Sequence, residues 1–234
     1  MNLRTLSIAA ALTLFPLAAS HAQSPQLKAV LAQMDAASAH FHNAEADVRY
    51  DNYTRVVNAH DISVGSLYIE RTGSTEHMGA VSYPLAANGQ PEKTPANIIN
   101  FDGATLRIYT PGTNQEDRFK AGANQARYNS FLTLGFGGSG KDLAAAWEIN
   151  DQGPETISGV KTEKLDLVSK DPSVKNLFSH VTIWIDPARG LSLKQIFFAP
   201  NGDFRTATYS NLHLNTRINK HPYDIPKGAT VINH

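Results

Sequence analysis

The residues that could do chemistry are few. Gly135 to Lys141 formally spells Gly-x-x-x-x-Gly-Lys, the pattern with which a phosphate loop cradles a nucleotide. The next residue is Asp142, so the hydroxyl that such a loop offers to magnesium is missing, and the segment before it reads as helix, not strand. A flexible glycine connection between two helices is the other reading. Ser139 lacks the second glycine of a nucleophile elbow. His40 and His42 stand two apart, a spacing that points them away from each other on a helix. His180 and His213 read as ordinary strand residues. No His-x-x-x-His pair and no calcium-type acidic loop occurs, and the chain has no cysteine. These observations predict no catalytic residue, no metal and no cofactor, and hence a protein that is not an enzyme.

The elements that would position a site are mostly strands. Ser24 and Pro25 open a helix on which Leu27, Val30, Leu31, Met34, Ser38 and Phe41 fall on one face at a spacing of three and four. Strands are predicted over 47–57, 62–71, 75–83, 96–102, 104–110 and 115–121. Asp102-Gly103 is the strongest hairpin signal among them. A short apolar helix is expected over 124–134, and a second, capped by Asp142, through Leu143 to Trp147. Strands resume over 161–169, 180–186, 191–199 and 204–214, with glycine turns at Gly190 and Gly202. Pro84 to Pro95 reads as a surface loop. About ten antiparallel strands and a few helices predict a mainly β fold, an unclosed antiparallel barrel with helices over its mouth.

Arg4, the apolar run from Ile8 to Ala19, and Ser20-His21-Ala22 make up the three parts of a secretory signal peptide. The expectation is cleavage after Ala22 and a periplasmic protein, with residues 23–234 as one half-barrel domain. Residues 1–22 contain one arginine and no acid. The 21 basic and 21 acidic residues therefore become 20 and 21, near neutrality, with no electrostatic case for nucleic acid. Without cysteine there is neither a disulfide framework nor a lipidated N-terminal cysteine.

The opening amphipathic helix, the segment Asn97-Ile98-Ile99-Asn100-Phe101-Asp102-Gly103-Ala104-Thr105-Leu106-Arg107-Ile108-Tyr109-Thr110-Pro111 and the stretch from Gly190 to Val231 together resemble the LolA family of periplasmic lipoprotein carriers. The resemblance spans most of the chain after Ala22. It implies an apolar cavity under a helical lid, holding the acyl chains of a lipoprotein or related lipid. It further implies a carrier, or chaperone, for outer-membrane biogenesis that takes its cargo from an inner-membrane ABC-type release complex to an outer-membrane acceptor. That family carries a lid-locking arginine at the end of its third strand, and Arg71 stands at the corresponding place, although the proline and aromatic pair that usually follow are missing. A solvated strand-end charge is the other reading of Arg71.

On this basis Arg71, Leu31, Met34, Phe131 and Leu134 are expected at the lid. Phe41, Met78, Ile99, Phe101, Leu132, Phe136, Ile183 and Phe197 are expected to line the acyl cavity, with ordinary core packing as the competing role for each. A monomer is expected, since no long apolar edge strand is evident. An envelope sensor of mislocalised lipoproteins, a binder of other lipids or glycolipids, a secreted hydrolase and a β-domain with a dry core all stay open.

Overall fold

The computed structural model describes residues 24–120, 122 and 134–234. The signal-peptide segment and residues 124–133 of the helix expected over 124–134, with Phe131 and Leu132, lie outside the described residues. Helix α1 spans Pro25–Ser38, and Ser24 caps it by accepting a hydrogen bond from the Leu27 N–H at 3.0 Å. Twelve strands follow: β1 Asn43–Thr54, β2 Ala59–Thr72, β3 Thr75–Pro84, β4 Asn97–Phe101, β5 Thr105–Thr110, β6 Gln115–Lys120, β7 Trp147–Ile157, β8 Val160–Ser169, β9 His180–Asp186, β10 Leu191–Phe198, β11 Phe204–Leu214 and β12 Thr230–Asn233. Helix α2, Gly140–Ala146, precedes β7, and a single turn, α3, Pro172–Lys175, follows β8.

The strands form one sheet in the order β12-β6-β5-β4-β3-β2-β1-β11-β10-β9-β8-β7. Hairpins between sequence neighbours build nearly all of it. The β1–β11 pairing joins the two halves, and β12 adds in parallel to β6. The end strands β12 and β7 do not pair, so the barrel is unclosed. Asp102 explains the hairpin legible in the sequence. Its Oδ1 accepts from the N–H groups of Ala104 (2.9 Å) and Thr105 (2.7 Å), while Gly103 takes φ +91°.

Several expectations need correction. The described residues form twelve strands, against the ten or so expected. The second helix is capped by Ser139, whose Oγ accepts from the Asp142 N–H at 3.0 Å. Asp142 sits a turn inside, and Trp147 begins β7 instead of ending a helix. β7 was hidden by Gly153-Pro154, which coincides with a register shift. β1 starts at Asn43 and ends before Val56 and Val57, which are exposed at the hairpin tip.

Each face of the sheet is covered in part. Helix α1 lays Leu27, Val30, Leu31 and Met34 on the inner faces of β8, β9 and β10, against Leu165, Leu167, Val181, Ile183, Ile185 and Phe197. At about 1.5–3 kcal/mol per buried side chain, those four residues contribute roughly 6–12 kcal/mol before entropy. The outer face of β2–β5 is covered by the chain's own C-terminal segment. There Tyr223, with Ile218, Ile225 and Ala229, packs on Tyr68, Val81, Ile98 and Tyr109. The backbone carbonyl of Tyr223 accepts from the Asn100 amide at 2.5 Å.

Candidate functional site

The inner face is a grid of side chains fixed by register. One row runs Phe197, Arg205, Asn52, Asp61 across β10, β11, β1 and β2. The next contains Ala207, Tyr50, Ser63 and Pro84. Two rows deeper come Ala46, Leu67, Ala80, Ile99 and Ile108. On the β8–β10 half this face is filled by α1. On the β1–β4 half it borders a cleft of about 810 Å³, overhung by the loop from Leu85 to Ala96. Tyr50, Ala80 and Ile99 form its apolar wall; Asn52, Asp61, Ser63, Ser82, Asn97 and Arg205 supply its polar groups. The loop is held in place by backbone bonds from Leu85 to Ile62 (3.2 Å) and from Ala96 to Ser82 (2.8 Å).

At the cleft's edge, Arg205 lies over two aromatic rings, 5.1 Å from the Phe197 centroid and 5.6 Å from that of Tyr50. Burial pushes the Tyr50 hydroxyl above its ordinary pKa, and Arg205 partly opposes the shift. The neighbouring Tyr209 is also raised, chiefly by burial. Both phenols are therefore neutral hydrogen-bonding groups near neutral pH. Tyr209 donates to Gln195 Oε1 at 2.9 Å, and Gln195 donates to the Leu134 carbonyl at 2.5 Å.

The far end of the inner face is tied down by Arg71. Its Nη2 lies 2.9 Å from Glu76 Oε1 and donates at 2.9 Å to the Gly137 carbonyl. Its Nη1 donates at 3.3 Å to the Ser38 carbonyl, and the guanidinium sits 5.2 Å from the Phe41 centroid. One side chain thus joins the end of β2 to the end of α1 and to the glycine-rich segment. Glu76 is buried, and burial raises its pKa, against the hydrogen bond from Arg71.

The glycine-rich segment is not a loose connection. The Ser192 N–H donates to the Gly135 carbonyl at 2.6 Å and the Gly137 N–H to the Gly190 carbonyl at 2.9 Å, stitching it to β10. A Cβ on Gly137 would lie 2.3 Å from the Phe41 ring, and one on Gly140 would lie 2.2 Å from the Leu31 carbonyl oxygen. These glycines permit close approach. The Gly-x-x-x-x-Gly-Lys pattern is thereby explained as packing, with Ser139 and Gly140 starting α2.

The residues expected at the site fall into separate places. Leu31, Met34 and Leu134 join Ile183 and Phe197 in one packed core. Phe41 and Phe136 belong to a second core, with Met78 and Ile99 at its margin. Phe101 is buried against Met78 and Leu106. Among the described residues, Ile99 is the one expected lining residue that borders the cleft. The space predicted beneath α1 is occupied by α1's own side chains. Tyr50, Ser63, Ala80 and Arg205 were missed as lining residues. The parity of β11 held a signal, since Arg205 shares its face with Ala207 and Tyr209, whose burial makes that face inward.

The fold is an unclosed, largely antiparallel barrel with helices on its inner side. No family model and no curated protein matches the sequence. Among solved structures, an uncharacterized conserved protein from Thermus thermophilus matches with TM-score 0.53 at 12% identity, over 89% of this chain and 99% of that one. MucB matches with TM-score 0.51 at 12% identity, over 90% of this chain and 66% of that one. MucB has also been solved as a MucA/MucB complex from Pseudomonas aeruginosa, matched with TM-score 0.50. A LolA superfamily protein from Nitrosomonas europaea matches at TM-score 0.37 and 13% identity, over 85% and 97%, a likeness too loose to bear weight. At these identities the matches establish the fold alone.

Proposed function

We propose that this protein is an exported, non-catalytic lipid binder that holds an acyl chain against the inner face of its half-barrel and carries it, as cargo or with an attached lipoprotein, through the envelope. The observation that carries the reading is the cleft of about 810 Å³ on the inner face of the sheet, beside the part that α1 fills. That volume falls in the range of roughly 300–1,000 Å³ typical of small-ligand sites. Its wall of Tyr50, Ala80 and Ile99 suits an alkyl chain. Burying one CH₂ is worth about 0.8 kcal/mol, so a sixteen-carbon chain gains roughly 12 kcal/mol gross, before the entropy of ordering it. A carrier of this kind would take its cargo from an inner-membrane release complex and deliver it to an outer-membrane acceptor.

The likeness to MucB, solved in complex with MucA, favours a second reading, in which the same half-barrel engages a protein partner and reports on envelope lipids. Mass spectrometry of lipids extracted from protein purified without detergent decides first. About one equivalent of acylated lipid or peptide supports the carrier; a lipid-free protein that takes up no fluorescent acyl probe refutes it. A pull-down under the same conditions separates the second reading. Ser63→Phe, which fills the cleft beside Tyr50, should weaken acyl-probe binding about tenfold with the fold intact. Unchanged binding would place the chain elsewhere.

A further inference from the structure

The cleft is not uniformly apolar. Its inner wall is Ala80 and Ile99, whereas its outer row is Arg205, Asn52 and Asp61. Among the described residues Arg205 makes no ion pair, nor do Arg49, Arg55 and Arg217, while Arg71, Arg107, Arg118 and Arg189 each have a carboxylate partner; of the four unpaired arginines Arg205 is the one that lines this cleft. The rings of Phe197 and Tyr50 lie near the guanidinium. Contacts of that kind engage the faces of the group and leave its N–H edge to donate. That edge is a planar fork matched to the two oxygens of a carboxylate or a phosphate. Arg205 is exposed at the rim of the cleft, on the inward parity of β11 that continues into the buried Ala207 and Tyr209.

Resting on the lipid-binding reading above, we propose that Arg205 anchors the anionic end of the ligand. The occupant of the cleft is then an amphiphile with an oxyanion headgroup, a carboxylate or a phosphate, whose chain runs inward past Tyr50 toward Ala80 and Ile99. Asp61 lies two strands from Arg205, about 10 Å at the usual strand spacing. The cleft's lining carries Arg205, Asp61 and His60, the last paired with Asp51, so recognition comes from position and not from a large net charge. An anion gains beside Arg205 and is repelled near Asp61, which selects a single compact negative group over a polyanion. Asn52 stands between them, its amide donating to the Asp61 carbonyl at 3.4 Å.

The test is equilibrium competition against a fluorescent acyl probe on the full mature chain. The competitors are laurate, lauroyl lysophosphatidylglycerol, the neutral monolaurin, and inorganic phosphate alone. The wild-type protein should bind at least one of the two anionic lipids about tenfold more tightly than monolaurin, and the tighter of the two identifies the oxyanion. Arg205→Gln should abolish that preference, and Arg205→Lys should restore part of it. Equal binding of charged and neutral lipids by wild type, or a preference that survives Arg205→Gln, overturns the headgroup assignment and leaves lipid binding standing. Competition by inorganic phosphate at the strength of the acylated anion makes Arg205 a free-anion site and overturns it too. Binding of no acyl ligand at all refutes the lipid reading and this inference together.

Discussion

Removing Arg71 should damage the protein more than removing Arg71 and Glu76 together. Arg71 is 23% exposed and Glu76 9%, and Glu76 Oε2 has no hydrogen-bond partner, so the arginine alone neutralises that carboxylate. In Arg71→Met the buried charge is uncompensated, which costs about 3–5 kcal/mol in comparable sites. Partial exposure of the arginine and the option of protonating Glu76 bring the expected loss to about 3 kcal/mol. Of this, about 1 kcal/mol belongs to the carbonyls of Ser38 and Gly137, which lose a donor. Arg71→Met/Glu76→Met removes the charge problem and keeps only that last part, so it should lie within about 1 kcal/mol of wild type. The sign with pH follows from burial. Glu76 has a raised pKa in the fold, so its ionisation opposes folding, and stability falls as pH rises through that pKa. Without Arg71 the pKa rises further, and the deficit of the single variant should shrink on acidification. Urea unfolding of the three proteins at several pH values, with the slope unchanged, measures all of this. A double variant as unstable as the single one, or a small and pH-independent loss, would mean that the pair is solvated and does not hold α1 and the glycine segment.

Glu116 is the opposite case. Hydrogen bonds from Arg118 and Arg107 lower its pKa to about 2 from an ordinary 4.5. The stability it contributes is present above the ordinary carboxylate range and is lost as pH falls toward about 2. The shift corresponds to about 3 kcal/mol, reduced to about 1–2 by solvent at two arginines that are 34% and 39% exposed. Glu116→Gln should lose that amount at neutral pH and converge on wild type in acid, as read by thermal unfolding across pH. Gly140→Ala would drive a Cβ to 2.2 Å from the Leu31 carbonyl oxygen and prise α2 from α1, at a loss of about 1–3 kcal/mol. Gly112→Ala, with nothing within 4 Å and no positive φ, should be near neutral in the same melt.

Much of the architecture was local and therefore legible. The cap at Ser24 with Pro25, the Asp102-Gly103 hairpin, and the glycine turns at Gly190 and Gly202 are chosen by backbone chemistry within a few residues. The alternation of β11 puts Arg205, Ala207 and Tyr209 on one face with no tertiary information. Strand β7 escaped because Gly153-Pro154 breaks its pattern. β12 escaped because four exposed residues bury nothing that periodicity could register.

Where the open space lies was a tertiary decision. Both faces of the sheet are apolar over β2–β5, one covered by the Tyr223 segment, so a two-residue period could not say which face held a ligand and which a tail. Ile183 and Phe197 look as suited to an acyl chain as Ile99 does, yet α1 rests on the first two and leaves the third at a cleft. The resemblance pointed to Arg71 as a lock, but its hold on Ser38 and Gly137 spans 33 and 66 residues of chain. The sequence by itself determined the elements, their turns and the inward parity of Arg205. Only the register across β11, β1 and β2 and the seating of α1 decided that Arg205, Asn52 and Asp61 form one row beside a cleft, because packing chooses among apolar side chains that are locally equivalent.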